Sequence, residues 1–105
     1  MALPSHVEAA GERLVTADLR RKGYRLRPPM RGPGTVTLAA EAGGKKLLVA
    51  VTAAAVPEEP PYLSRGEEGS VKAQASEQGA EAWEARVQVD ERLRLTRSIG
   101  WRKLK

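Results

Sequence analysis

The chain has no cysteine and no phenylalanine, a single histidine and only four aromatic residues, two tryptophans and two tyrosines, among 105 residues. Without cysteine there are no disulfides and no thiolate metal sites, which suits a reducing, cytoplasmic setting. The lone histidine, His6, lies near a predicted helix start and reads as a surface or capping residue rather than a catalyst. No apolar run approaches the ~20 residues that cross a bilayer. The opening MALPSHVEAAGERL lacks the basic start and apolar block of a signal peptide, so a soluble cytoplasmic protein with no membrane partner is expected. No serine sits in a nucleophile elbow, and RGPG and EAGG read as turns rather than phosphate loops. Lacking phenylalanine, the core must be built from Leu, Val and Ala. Trp83 and Trp101 are then its largest pieces, and stacking on nucleobases is their alternative role.

What the chain has in plenty is cations, unevenly placed. Net charge is +5. Arg20 to Arg31 holds six cations and no acid, and Arg92 to Lys105 holds six more and no acid. The middle, residues 32–91, holds ten acids against five cations. If the two basic segments meet in the fold, they form a polarised surface suited to nucleic-acid phosphates. A solvated charged surface with no partner is the plain alternative. Hydrophobic content of 41% and charged content of 30% are those of a globular chain, and the length predicts one domain over residues 1–105.

Pattern and punctuation predict the elements. Ser5-His-Val-Glu8 has the form of a capping box and opens a helix to Lys22, with Val7, Ala10, Leu14, Ala17 and Leu19 as its apolar stripe. Gly11 weakens that helix and Gly23 ends it. Tyr24 to Arg27 is a short strand stopped by Pro28-Pro29, and Arg31 to Gly34 a loop. Thr35 to Ala40 and Lys45 to Ala53 form a β-hairpin around a turn at Glu41 to Gly44. Leu47 to Val51 is apolar on both faces, as in a strand covered on each side. VPEEPP, residues 56–61, is irregular. Ser64-Arg-Gly-Glu67 is a second capping box that opens a weak helix to Gln78, stopped by Gly79. Ala82 to Asp90 alternates as a strand, and a last short strand lies near Ile99 to Leu104. The order is α-β-β-β-α-β-β.

The hairpin is the natural place for a metal-dependent nuclease site. An acid on its first strand and an acid-x-lysine on its second would converge on a divalent cation. Thr35, Thr37 and Ala39 share one face of the first strand, and Ala50 and Thr52 one face of the second. These offer hydroxyls and a methyl. Neutral hydroxyls are poor sole ligands for Mg²⁺, and no general base stands there.

Order and spacing nonetheless resemble a known family, the archaeal-type Holliday-junction resolvases of the restriction-endonuclease-like, PD-(D/E)XK, superfamily. GERLVTADLRRKGYRLRP resembles that family's first helix and strand, with Glu12 at the place of its glutamate. GTVTLAAEAGGKKLLVAVTAA resembles its metal-binding hairpin, YLSRGEE the start of its next helix, GAEAWEARVQVD its passage into the fourth strand, and GWRKL its last strand. The resemblance implies an α/β fold with a central mixed sheet of about five strands flanked by helices. It places the family's aspartate on Thr37, its second acid on Ala50 and its lysine on Thr52, with Glu12 alone retained. The implied protein is a pseudo-nuclease with no catalytic residues and no cofactor, Mg²⁺ entering only if the site is active after all. Loss of the buried charges also removes a desolvation cost.

The expected partner is branched or duplex DNA, bound through Arg20, Arg21, Lys22, Arg25, Arg27, Arg31, Lys45 and Lys46, and the resemblance implies a homodimer. The alternatives are a dimeric interaction module or inert partner of an active nuclease subunit, and a metal-dependent endonuclease with relocated ligands among Glu12, Glu41, Glu58 and Glu59.

Overall fold

The computed structural model describes residues 3–32 and 35–105. Its elements run α1 (Pro4–Arg21), β1 (Arg25–Leu26), β2 (Met30–Gly32), β3 (Thr35–Ala42), β4 (Lys45–Ala55), α2 (Arg65–Gln78), β5 (Glu81–Val89) and β6 (Gly100–Lys103). The strands form one mixed sheet in the order β1-β3-β4-β5-β6, with β2 also pairing β3. β4 and β5 run parallel, joined across α2, and the other pairs are antiparallel. The expected order is thus observed with one strand added.

That strand is a correction. Met30–Gly32 pairs with Thr35–Thr37, where a loop was expected from Arg31; Pro33 and Gly34 of that loop lie outside the described residues. The open edge of β3 offers unpaired amides and carbonyls, and pairing satisfies them whatever the local sequence prefers. A second correction concerns the first capping box. The N-cap of α1 is Leu3, with no side-chain cap, because Pro4 takes the first helical position. Proline suits that place, since it has no N–H to leave unsatisfied. Ser5 therefore lies inside the helix. A third concerns the apolar stripe: Ala17 is exposed, while Val15 is fully buried beside Val7, Ala10 and Leu19.

The C-terminus of α1 closes as the sequence predicts. Tyr24 N–H donates to Leu19 O at 3.0 Å and Gly23 N–H to Arg20 O at 2.9 Å, a Schellman closure that requires the φ of +94° at Gly23. The hairpin turn narrows to Gly43-Gly44, both at positive φ, the backbone of a tight two-residue connection. Glu41 and Ala42 consequently belong to β3. The capping box of α2 is present as expected: Ser64 Oγ accepts from Glu67 N–H, and the Glu67 carboxylate accepts from Ser64 N–H at 2.8 Å.

The sheet is covered on both faces. On one, Val36, Leu38, Val49, Val51, Ala85 and Val87 pack under α1. On the other, Leu48, Ala50 and Ala82 pack with Leu63, Val71 and Ala75 of the strap and α2. Each large side chain so buried contributes about 1.5–3 kcal/mol, which is why β4 is apolar on both faces from Leu47 to Val51. Gly11 has a packing reason: a Cβ there would stand 2.8 Å from the Cβ of Ala53, so its absence lets α1 settle on β4. β5 is more buried than simple alternation predicts, since both its faces are covered.

Candidate functional site

The hairpin places Thr37 directly opposite Ala50. Across the parallel pair Ala50 stands opposite Glu84, and across the next Glu84 stands opposite Arg102. Residues in register share a face, so Thr37, Ala50, Glu84 and Arg102 form one row across the sheet, on the α2 side. The next row toward the end of β4 runs from Thr52 to Arg86 to Gly100. The sequence-predicted positions Thr37, Ala50 and Thr52 therefore converge, and they converge beside an acid that sequence pattern alone assigns to an ordinary strand.

That acid is already committed. Glu84 is fully buried. Its Oε2 accepts from Leu63 N–H at 2.7 Å and its Oε1 from Arg102 Nε at 2.8 Å. Arg102 also reaches Glu68 at 3.3 Å, and the Glu84 carboxylate, with Glu68 behind it, pushes the guanidinium pKa up. The segment 56–64 lies over this face as a strap. Thr52 Oγ1 donates to Pro61 O at 2.8 Å, Arg86 Nε to Pro60 O at 3.0 Å, and Gln88 Nε2 to Glu58 O at 2.8 Å. Tyr62 stacks on the Arg86 guanidinium, 3.7 Å from ring centroid to carbon. A buried face of polar side chains must satisfy them internally, and the carbonyls of this proline-rich strap are the acceptors.

Between the hairpin and α2 a cleft of about 290 Å³ is lined by Thr35, Thr37, Ala50, Glu67, Ser70 and Gln74. It occupies the place where the resemblance implies a cation. A Mg²⁺ ion takes anionic oxygens in octahedral geometry at about 2.0–2.1 Å. The residues present do not fit it. Ala50 brings a methyl, the Thr52 hydroxyl is held by Pro61, both Glu84 oxygens are engaged, and Glu67 is held by the α2 cap. Among the described residues no group of three or more His, Cys, Asp or Glu side chains could hold a metal ion.

The other acids weighed as relocated ligands are distributed. Glu12 faces Arg31 in a two-pronged pair at 2.9 and 3.2 Å. Arg31 stands opposite Val36, and Val36 points into the α1 core, so Glu12 is tied on the far side of the sheet from the Thr37 row. Glu41 pairs with Arg27 at 3.6 Å and Glu59 with Arg97 at 2.8 Å. The hydrogen bond and charge of Arg97 hold the exposed Glu59 carboxyl below its ordinary value. Glu58 is exposed, and its carbonyl serves Gln88.

The basic residues gather elsewhere. Arg20 and Arg21 end α1 and Lys22 caps it, Arg25 begins β1 and Arg27 follows it, and Lys45 and Lys46 begin β4. Arg25 stands opposite Glu41, and Lys22 lines one cavity with Lys45, which brings these elements to the Gly43-Gly44 end of the hairpin. Lys46 is four residues before Ala50, about 13 Å along the strand. The two basic segments of the sequence do meet, since Lys22 Nζ lies 4.8 Å from the Trp101 ring centroid. Arg31 stands apart, engaged with Glu12. Arg21 and Lys22 both contact Asp18, at 2.6 and 2.9 Å. Burial works to raise the Asp18 carboxyl, and the two cations outweigh it, leaving it below the ordinary value. Lys45 approaches Glu81 at 3.7 Å. Arg20, Arg25 and Lys46 are exposed and have no ion-pair partner among the described residues.

Sequence reasoning missed Glu84, Arg102 and the strap. One signal was available: an acid in the middle of AWEARVQV, a strand otherwise rich in small and β-branched residues. Its partner stands eighteen residues later, beyond reach of local pattern.

No protein-family model matches the chain, and no curated protein matches it. Among solved structures it is similar to Hjc, a Holliday junction resolvase from the archaeal hyperthermophile Archaeoglobus fulgidus, with a TM-score of 0.68, 22% sequence identity, and 92% of this chain and 72% of that one covered. The mixed sheet, its flanking helices and this likeness together show that the chain has the α/β fold of that archaeal resolvase.

Proposed function

We propose that this protein is a non-hydrolysing, resolvase-like binder of branched DNA. One observation carries the reading: the row Thr37, Ala50, Glu84, Arg102 supplies an internal ion pair where metal-dependent hydrolysis requires free carboxylates. The likeness to a junction resolvase and the cations around the hairpin turn support DNA as the partner. Arg20, Arg25 and Lys46 lead the phosphate contacts, since binding breaks no existing ion pair; Arg21, Lys22, Arg27 and Lys45 exchange an acidic partner for a phosphate. Contacts of this kind set position rather than sequence. About six of them give a log–log salt slope near −5.

The test is a gel-shift series with four-way junction, duplex and single-stranded DNA across a range of salt, run beside a cleavage assay in Mg²⁺ and Mn²⁺. Junction binding with a steep salt slope and no cleavage is expected. Metal-dependent cleavage that is lost in Glu12→Gln would overturn the proposal in favour of relocated ligands.

A second reading, a homodimer that serves as an interaction module or an inert partner of an active nuclease subunit, has its own observation. Exposed Val56 stands in a cleft of about 550 Å³ lined by Pro4, Val7, Ala53, Ala55 and Pro57, with Glu8, Glu58 and Glu59 also in its wall. This end, apolar with an acidic margin, lies at the opposite end of β4 from the basic one, so both readings can hold in one molecule. Sedimentation of the wild type and of Val56→Glu separates them: a dimer that the charge dissolves supports this interface.

A further inference from the structure

One cavity belongs to neither the hairpin cleft nor the apolar end. It holds about 270 Å³ beneath the end of α1 and is walled by Leu19, Tyr24, Trp83 and Trp101, with Lys22 and Lys45 at its rim. Three of the chain's four aromatic residues line it. The two indoles meet edge to face, 6.2 Å between centroids and 83° between planes, which makes two perpendicular walls. Their orientation is fixed. Glu81 Oε1 accepts from Trp83 Nε1 at 3.0 Å, and the Lys22 ammonium stands 4.8 Å over Trp101. Both tryptophans are only partly buried, so they are not simply core.

The chemistry of the lining selects its occupant. Flat π-surfaces favour a flat aromatic ring, and two ammonium groups at the mouth favour an anion attached to it. A nucleobase carrying its phosphate has both parts. Around the mouth stand Arg21, Lys22, Lys45 and Lys103, against Asp18 and Glu81, whose carboxylates are already shared among those cations. The local field is therefore positive, continuous with the surface proposed to follow the DNA backbone.

We infer that this cavity is a stacking pocket for an unpaired nucleobase, with Trp101 and Trp83 as its walls and Lys22 and Lys45 on the adjoining phosphate. The inference rests on the proposed reading of DNA as partner and adds what that DNA must present: a base out of its pair, as at the centre of a branch or in a single strand. Base–aromatic stacking adds no sequence preference, because every base has a π-face.

The test uses the intact protein and an oligothymidylate of about eight nucleotides, within the site size of single-strand binders, beside a blunt duplex. Tryptophan emission should be quenched on saturation with the single strand and unchanged by the duplex. Trp101→Leu should weaken single-strand binding about tenfold and leave duplex binding unaltered. As a control for folding, Lys22→Met, an exposed change, should weaken single-strand binding with the quench amplitude retained. Single-strand binding without quenching, or an equal loss for both DNAs in Trp101→Leu, would overturn the pocket while leaving DNA binding in place. Failure of both DNAs to bind the wild type would instead sink the reading on which the pocket rests.

Discussion

The two ends of the β3–β4 hairpin treat charge in opposite ways. Near the Gly43-Gly44 turn, cations stand in solvent, several without an acidic partner among the described residues. At the far half, Arg31, Arg86, Arg97 and Arg102 are each bound by a carboxylate or a carbonyl of the protein itself. The turn end leaves its cations exposed to solvent, whereas the far half uses its own to hold the strap, α1 and α2 to the sheet. The row beside Thr37 and Ala50 is thus closed by an internal ion pair, Glu84 with Arg102.

The largest expected break in that contrast is Ala50→Glu. Position 50 is 1% exposed and stands opposite Glu84, so a new carboxylate is buried beside an existing one. The expected cost is about 4 kcal/mol or more in urea unfolding. A variant of wild-type stability that titrates with Mg²⁺ would show that the far half is still an open cation site. Next is Arg102→Met. It strands the buried Glu84 carboxylate with one backbone partner, at about 3 kcal/mol, the lower end for such pairs because Arg102 is 43% exposed. Lys103→Met, on the neighbouring exposed residue, should cost under about 0.5 kcal/mol.

A third prediction probes the turn end. Reversing Arg20 and Lys46 together to Glu should weaken junction binding at least tenfold, about 1.4 kcal/mol, and flatten the salt slope by about two. Arg31→Met should leave affinity within about twofold, because its charge already belongs to Glu12. Equal losses in the two variants would erase the distinction between the ends. Gly11→Ala measures how closely the far half is packed. The contact with Ala53 costs about 1–3 kcal/mol of strain, and better helix propensity returns about 1, leaving a net loss near 1 kcal/mol by thermal unfolding.

The smallest effect is at the α2 cap. The hydrogen bonds from Ser64 hold the Glu67 carboxyl below its ordinary value of 4.5. A depressed acid contributes stability above its unfolded pKa and loses it as pH falls through the folded one. Stability should therefore decline below about pH 4.5, and Glu67→Gln should flatten that part of the acid profile.

Much of the fold was legible because its signals are local. Gly43-Gly44 between alternating strands, Ser64 with Glu67, and Gly23 after a cationic turn each carry their own geometry. The meeting of Thr37 and Ala50 was implied by the family resemblance; the register that delivers it needs the turn narrowed to Gly43-Gly44, two residues shorter than the expected Glu41 to Gly44. β2 was not legible, because RGPG reads as a turn and only the free edge of β3 recruits the residues before it. The Ser5 box failed because Pro4 can begin a helix one step earlier. Glu84 stayed hidden because its burial depends on where the strap runs, and a proline-rich connection gives no local sign of the face it will cover. The separation of the cations from the hairpin cleft was equally invisible in sequence, since Arg25 and Arg31 lie six residues apart, yet one stands in solvent and the other is tied to Glu12.

The most direct measurement is an amide chemical-shift titration of the protein with a four-way junction in the presence of Mg²⁺. Shifts should concentrate at Arg20, Lys22, Arg25, Lys45 and Lys46, and remain unchanged by Mg²⁺ at Thr37, Ala50, Thr52 and Glu84. Metal-dependent shifts at those four residues would contradict the account.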